Sequence, residues 1–375
     1  MNRSFKLITL FNIPVEINYS WFIILGLVVY TLARGYFPVT NPDLPEAAHW
    51  LMAFVAAFLL FASLLTHEFS HSLVAVRNDL PIHGITLFVF GGVAHMEKEP
   101  ASPGVEFRMA AAGPGMSFFL AVVFFGLTQA LYSLHFPAYI LSILNYLFVL
   151  NLAVGFFNLI PGFPLDGGRL LRAAIWHFTK NIKRATRIAS LFGKTFAFLL
   201  IAYGLLNLFY GALVTGIWFI FIGLFLQEAA ETSYQQIVLK RALTGVKAGS
   251  IMTSAVVTVP SDVTLDKLVD EYFFRFRYTS FPVVSDDALL GLVTLHAVKE
   301  VAKDRWPQVK AGDIMIPISE NLIISKDLDV IDALSKMAGT GSSRLLVAED
   351  SKLIGILTQS DVTRLFELKA KIEEE

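Results

Sequence analysis

His67-Glu68-Phe69-Ser70-His71 sets two imidazoles one helical turn apart with a carboxylate between them. Residues four apart on a helix share a face, so His67 and His71 can grip one metal ion while Glu68 stands beside it. An ion held this way lowers the pKa of a water from about 16 to about 7. An adjacent carboxylate can then take that water's proton as it attacks a carbonyl. This is the chemistry of zinc hydrolases. Its surroundings are unusual, because Leu51 to Leu65, immediately before it, contains no charged residue. Ionisable groups at the end of such a run are costly to keep and mark a functional site by default. The pattern points to peptide cleavage at membrane depth.

Catalytic zinc usually takes three protein ligands and keeps a fourth position for water. The chain of 375 residues has no cysteine, so thiolate ligands, thiol nucleophiles and disulfides are excluded. The third ligand must be His, Asp or Glu, and Asp166 is the leading candidate. It lies in Asn158-Leu159-Ile160-Pro161-Gly162-Phe163-Pro164-Leu165-Asp166-Gly167-Gly168-Arg169. Pro161, Pro164 and the glycine pair are expected to break the helix and let a short carboxylate turn inward.

These residues must be positioned by membrane helices. The chain is 55% hydrophobic and 16% charged, where soluble chains average about 25% charged. The charge deficit ends near Gln227, which predicts a membrane part followed by a soluble one. A net charge of −1 gives no reason to expect nucleic acid as a partner. About six spans are expected, near Tyr19–Tyr36, His49–Val76, Met109–Leu134, Ala138–Ile160, Leu191–Phe209 and Ala212–Ala229. The first is read as uncleaved, since no small-x-small site closes it.

Basic residues then set orientation. Arg3, Lys6, Arg77, Lys98, Arg108, Arg169, Arg172, the run from Lys180 to Arg187, Lys240 and Arg241 all fall on one side, and the opposite loops have none. The expectation is a multi-pass cell-membrane protein with both termini cytoplasmic. His71 lies six residues before Arg77, about 9 Å along a helix, which puts the metal site in the cytoplasmic third of the bilayer. Between spans two and three, Pro81–Met96 is too short to cross. Its Ile-Thr-Leu-Phe-Val-Phe run before Gly91-Gly92 predicts a re-entrant strand and turn. Such backbone is tolerated only inside protein or beside a wet cavity. It is expected to offer Ile85–Phe90 as an edge to an extended substrate.

The soluble part repeats itself. Val246-Lys247-Ala248-Gly249-Ser250-Ile251-Met252 returns as Val309-Lys310-Ala311-Gly312-Asp313-Ile314-Met315, and Leu290-Gly291-Leu292-Val293-Thr294 as Ile354-Gly355-Ile356-Leu357-Thr358. Two copies of a small α/β unit are implied. The expected organisation is a transmembrane domain over 1–230, a linker helix over 231–245, and repeats over 246–305 and 306–370.

The His67–His71 motif, together with Asn158, Pro161 and Leu165-Asp166-Gly167-Gly168, resembles the site-2 protease family of intramembrane zinc metalloproteases. Phe90-Gly91-Gly92 and Ala112-Gly113-Pro114 fit the same pattern, and the likeness covers roughly Met1 to Ala230. The resemblance implies one Zn2+ per chain held by His67, His71 and Asp166, with Glu68 as base. It also implies that Asn158 orients substrate or the oxyanion, and that the substrate is a transmembrane helix. The bland reading of Asn158 is a hydrogen bond to a neighbouring helix. The family often has Asn three residues after the proline of Ala-Gly-Pro, where this chain has Ser117.

The repeat resembles paired cystathionine-beta-synthase (CBS) domains, which often bind adenine nucleotides (ATP, ADP or AMP). Its ribose contact falls on Asp361, three residues after Thr358, whereas the first copy has Ala297 after Thr294. Asp361 has a plainer reading as a helix cap. CBS pairs commonly associate face to face, so a homodimer is expected through them. The fold expected overall is a polytopic α-helical membrane protein with a re-entrant β element and a cytoplasmic α/β CBS pair. The rival reading, a CBS-regulated channel or transporter, requires polar groups spread along several spans. A lipid oxidase would need further histidine clusters. Here the ionisable groups gather on two segments near one face.

Overall fold

Among the described residues, six helices are long and apolar enough to cross a bilayer. They are α1 (Trp21–Thr40), α2 (Glu46–Val76), α3 (Pro103–Ser133), α4 (Ala138–Asn158), α6 (Ile182–Phe209) and α7 (Leu213–Leu243), with the shorter α5 (Asp166–Thr179) between α4 and α6. The structure, a computed structural model, describes residues 4–89, 91–96, 100–285, 288–317, 322–349 and 352–373; for 95, 236, 237, 240, 241 and 370–373 it describes the backbone alone. Phe90, Arg3 and Lys98, and the side chains of His95, Lys240 and Arg241, lie outside the described residues. The chain divides into two units, Met1–Ile237 and Val238–Glu375.

In α2 the buried positions His49, Met52, Ala53, Ala56, Ala57, Leu60, Ser63, His67 and His71 recur at helical spacing. This stripe turns both motif histidines toward protein, and its alanines let neighbouring helices approach closely. Within α1, Leu32–Tyr36 forms a π turn ahead of Pro38. Arg34 on that turn pairs with Glu46 at 2.6 Å and lies over the Trp50 ring. The far side therefore carries one cation at the end of a span, neutralised in place. His49 is buried and its Nε2 lies 2.8 Å from the Asn41 carbonyl.

The re-entrant element is larger than the sequence predicts. Strands β1 (Ser4–Leu10) and β2 (Ile13–Asn18) join β3 (Ile82–Phe88) and β4 (Gly91–Met96) in one sheet, ordered β1-β2-β3-β4. β2 runs parallel to β3, and both other pairs are antiparallel. Ile13, Val15 and Ile17 alternate inward along β2 to meet buried Ile85 and Leu87. The expectation that Ile85–Phe90 offers an edge is corrected: β3 is hydrogen-bonded on both sides, by β2 through Val15–Ile17 and by β4. The open edge beside the motif helix belongs to β4.

Beyond α4, the chain turns through 159–165 and starts α5 with Asp166 as its first residue. The glycine pair does not end a helix, as expected, but begins one. A Cβ on Gly167 would collide with the Leu159 and Ile160 carbonyls, and one on Gly168 with Gly162 and Phe163 backbone. The pair therefore lets α5 sit directly on the preceding loop. Arg172, expected as a loop charge that sets topology, is instead buried: its Nε donates to Glu106 Oε1 of α3 at 2.5 Å, and its guanidinium covers the Phe163 ring. This pair pins α5, and with it Asp166, to α3. Glu106→Gln is expected to lower stability by about 3–5 kcal/mol, because a buried charge loses its partner. Thermal unfolding in detergent checks this, and the double variant Glu106→Leu/Arg172→Met should cost less than the single one.

The second unit holds the repeat. β5 (Val259–Pro260) runs parallel to β6 (Ser280–Ser285), which pairs with β7 (Ala288–Thr294) and through it β8 (Ile316–Pro317). β9 (Ile323–Ile324), β10 (Arg344–Glu349) and β11 (Lys352–Thr358) repeat the pattern. The register slips at equivalent points, Val283/Val284 and Val347/Ala348. Each copy has its own apolar core, one around Leu265, Phe281 and Val293, the other around Val330, Leu345 and Leu357.

Candidate metal centre and active-site cavity

α2 and α5 bring three atoms able to bind a metal ion to one point. His67 Nε2 and His71 Nε2 lie 3.2 Å apart, and Asp166 Oδ2 lies 3.2 Å from the first and 3.0 Å from the second. The opposite ring nitrogens are engaged elsewhere. His71 Nδ1 is 2.6 Å from the Met109 carbonyl and His67 Nδ1 is 2.8 Å from Ser117 Oγ, both on α3. A carbonyl can only accept, so His71 carries a proton on Nδ1, the tautomer in which a neutral ring offers Nε2 to a metal. Three such atoms within reach of one another could hold a metal ion.

Zinc suits this cradle. Its bonds to nitrogen and oxygen are about 2.0–2.2 Å, which spaces tetrahedral ligands about 3.3–3.6 Å apart. The observed separations of 3.0–3.2 Å lie a few tenths of an ångström inside that edge, so a small outward movement of the three groups admits the ion. The residue opposite the imidazoles is Gly113 of α3. A Cβ there would lie 2.5 Å from His67 Nε2 and closer still to His71 Nε2. The absent side chain leaves the room an ion needs. Read from sequence, Gly113-Pro114-Gly115 looks like close helix packing alone; the space beside the ring nitrogens is the fuller reason for Gly113.

A cavity of about 1040 Å³ opens from this cluster, lined by His67, Glu68, His71, Asn158, Asp166 and Arg169 amid apolar side chains such as Trp218 and Phe225. Glu68 is held on its far side by β4. A Cβ on Gly92 would lie 2.5 Å from Glu68 Cγ, so only glycine lets the strand edge come this close. Gly91, at φ +127°, makes the turn. Asn158 lines the same cavity while its Nδ2 donates to the Val154 carbonyl at 3.1 Å. His83 is exposed.

In the second unit, a cleft of about 930 Å³ is lined by Arg277, Tyr278, Arg344, Thr358, Asp361 and Arg364. Asp361 Oδ2 accepts from Thr358 N at 2.9 Å and from Thr358 Oγ1 at 2.6 Å, and Asp361 N donates back to Thr358 Oγ1 at 3.2 Å. The two residues cap the helix at Gln359–Glu373 and face the cleft together. In the first copy, Ala297 N donates to Thr294 Oγ1 at 3.2 Å, with no carboxylate at that position.

Comparison with known proteins accords with this geometry. The family model described as Peptidase family M50 matches residues 55–138 and 131–202, and the CBS domain model matches 248–304 and 311–368. Rip3 of Mycobacterium tuberculosis is 36% identical over 356 residues, covering 94% of this chain and 90% of that protein. Zinc metalloprotease MJ0392 of Methanocaldococcus jannaschii is 31% identical over 377 residues, covering 100% of both. The chain belongs to peptidase family M50, the site-2 zinc metalloproteases. Among solved structures, the site-2 protease from M. jannaschii is 31% identical and covers 62% of this chain and 95% of that one, with a TM-score of 0.42.

This protease is thus an intramembrane zinc metalloprotease with a tandem CBS pair. Sequence reasoning left Ser117 without a role, because only the fold brings it to His67. Groups that orient a ligand histidine typically change metal affinity by 10–100-fold. Ser117→Ala is accordingly expected to weaken zinc binding by about 10-fold, read by competition with a chromogenic chelator.

Proposed function

We propose that His67, His71 and Asp166 hold one zinc ion and that Glu68 is the base of an endopeptidase acting on transmembrane segments of membrane-anchored proteins. The observation that carries this reading is the convergence of the three ligand atoms beside Glu68 in one cavity. Zinc at this site supplies an acidified water and a polarised carbonyl. Glu68 accepts a proton from the attacking water on its carboxylate and returns it to the departing amide nitrogen. Asn158 spends one amide N–H on Val154 and has a second for the substrate backbone. The β4 edge, held against Glu68 through Gly92, suits an unwound substrate segment that adds as a further strand. Both termini are taken as cytoplasmic, on the charge asymmetry of the loops.

Substrate unwinding has a direct test. A model single-span substrate with a Gly-Pro pair near its cytoplasmic end is expected to be cut several-fold faster than an all-leucine span, with Glu68→Gln as the blank. Equal rates would remove the strand-addition step.

For the CBS unit we propose that an adenine nucleotide binds the 930 Å³ cleft, its ribose hydroxyls at Asp361 and Thr358 and its phosphates toward Arg277, Arg344 and Arg364. Regulation then requires unequal nucleotide affinity for the active and inactive forms. Titration calorimetry with ATP, ADP and AMP is expected to give saturable binding that Asp361→Ala abolishes. No heat with any of them would leave the pair as an assembly surface. A homodimer through this unit is part of the same proposal, on the likeness to paired CBS domains, and sedimentation of the purified protein tests it.

A further inference from the structure

Arg169 is a charge that the scheme above does not use. It sits on α5 one turn after Asp166, so the same helix face carries both into the cavity. The sequence reading counts it among the loop charges that set topology; the structure puts it in the active-site wall instead. Its neighbour Arg172 spends its charge on Glu106. Arg169 does not: among the described residues its guanidinium makes no hydrogen bond and no ion pair, although it is half-buried in the wall of the cavity that also holds His67, Glu68, His71, Asn158 and Asp166. The charges of Asp166, Glu106 and Glu68 act on it favourably at a distance, and that of Arg172 unfavourably. An arginine has five N–H donors in a rigid fork, and holding them unmatched in a partly dehydrated cavity wall is costly. Such a group is placed for a ligand that brings acceptors.

We infer that Arg169 binds the carbonyl oxygen of the scissile peptide bond and the negative charge that develops on it. The charge balance supports this. A divalent ion with Asp166 and Glu68 sums to zero, and Arg169 leaves one positive charge over. When water oxygen bonds to the carbonyl carbon, the C=O π pair moves onto oxygen, and Glu68 takes the water's proton. One unit of negative charge has then moved from Glu68 to the carbonyl oxygen, with the net charge of the site unchanged, and that oxygen faces the positive charge of Arg169. The pair returns to the carbonyl as the C–N bond breaks and the nitrogen takes the proton from Glu68. Donors aimed at developing charge in a water-poor site typically contribute about 10²–10³-fold in rate. Asn158, with one N–H already committed, is the weaker donor of the two.

The inference rests on the proposed metal and base residues, so Glu68→Gln is run alongside. In zinc-loaded protein, Arg169→Gln and Arg169→Ala are expected to keep zinc content and melting temperature. Their kcat should fall by about 10²–10³-fold with KM changed far less. Arg169→Lys should recover part of the loss, since a point charge lacks the fork. Guanidinium ion in the buffer should partly rescue Arg169→Ala. A peptide phosphonate, a tetrahedral anion, should lose affinity for Arg169→Gln in step with kcat, whereas an uncleavable substrate analogue should not. Wild-type kcat in the Arg169 variants, with Glu68→Gln inactive, overturns the inference alone. Loss of zinc or of folding in Arg169→Gln and Arg169→Lys together, with no guanidinium rescue and unchanged phosphonate affinity, assigns Arg169 a structural part and also overturns it. Full cleavage by Glu68→Gln overturns the underlying site reading instead.

Discussion

Glu68→Gln is expected to bind zinc as wild type does and to lose cleavage by about 10²–10⁴-fold or more, the contribution of a positioned proton-transfer group. The substitution keeps shape and removes only basicity. Glu68 is not among the three groups that converge on the metal point, so occupancy has no reason to fall. Its side chain is fixed between that cluster and the β4 backbone, where a Cβ on Gly92 would touch it. A glutamine amide fits the same space, so the fold should persist. In free energy the loss is about 3–5.5 kcal/mol of transition-state stabilisation, with little change in substrate affinity. Single-turnover cleavage of a model transmembrane substrate, with zinc measured on the same preparation, checks both halves. A Glu68→Gln enzyme that cuts at the wild-type rate removes Glu68 from the mechanism.

Gly113→Ala is expected to have the other large effect, on the metal rather than the proton. The added methyl would stand 2.5 Å from His67 Nε2 and nearer to His71 Nε2, inside the space the ligand atoms enclose. Neither ring can retreat freely. His71 is held by the Met109 carbonyl and His67 by Ser117, both on the helix that carries Gly113. The methyl must therefore displace the ion or push α3 away from α2, and overpacking of that kind costs about 1–3 kcal/mol. Zinc content should fall by about 10-fold or more, since each 1.4 kcal/mol is a factor of ten in affinity. Gly115→Ala is the matched control: a Cβ there meets nothing within 4 Å, and the variant should bind zinc normally. Equal zinc in both variants would mean that the space beside Gly113 is not where the ion sits.

Much of this site is legible in the chain because its signals are local. His67 and His71 declare themselves by spacing, and Asp166 by its place where the fourth span ends. The six spans follow from apolar length, since a bilayer requires it. What sequence misses depends on pairing across long separations. β1 and β2 precede their partner β3 by a whole pair of spans, so only one strand of the four-stranded sheet and its turn are apparent, and the exposed edge is assigned to β3 rather than β4. Ser117 and the Met109 carbonyl orient the histidines from another helix, and a serine or a backbone oxygen gives no pattern to find. Arg169 and Arg172 look like topology charges beside Lys180–Arg187, yet one faces the cavity and the other is buried on Glu106. A clue was available: both lie four or fewer residues from a glycine pair, where helices pack too closely for a solvated face.

X-ray absorption at the zinc edge, with metal content measured on the same purified protein, tests the centre most directly. The expected result is one zinc per chain with nitrogen and oxygen neighbours at about 2.0–2.2 Å, and loss of that zinc in Asp166→Ala and in His71→Ala. A full equivalent of zinc with an unchanged spectrum in Asp166→Ala would contradict it, because the ion would then be held by other groups.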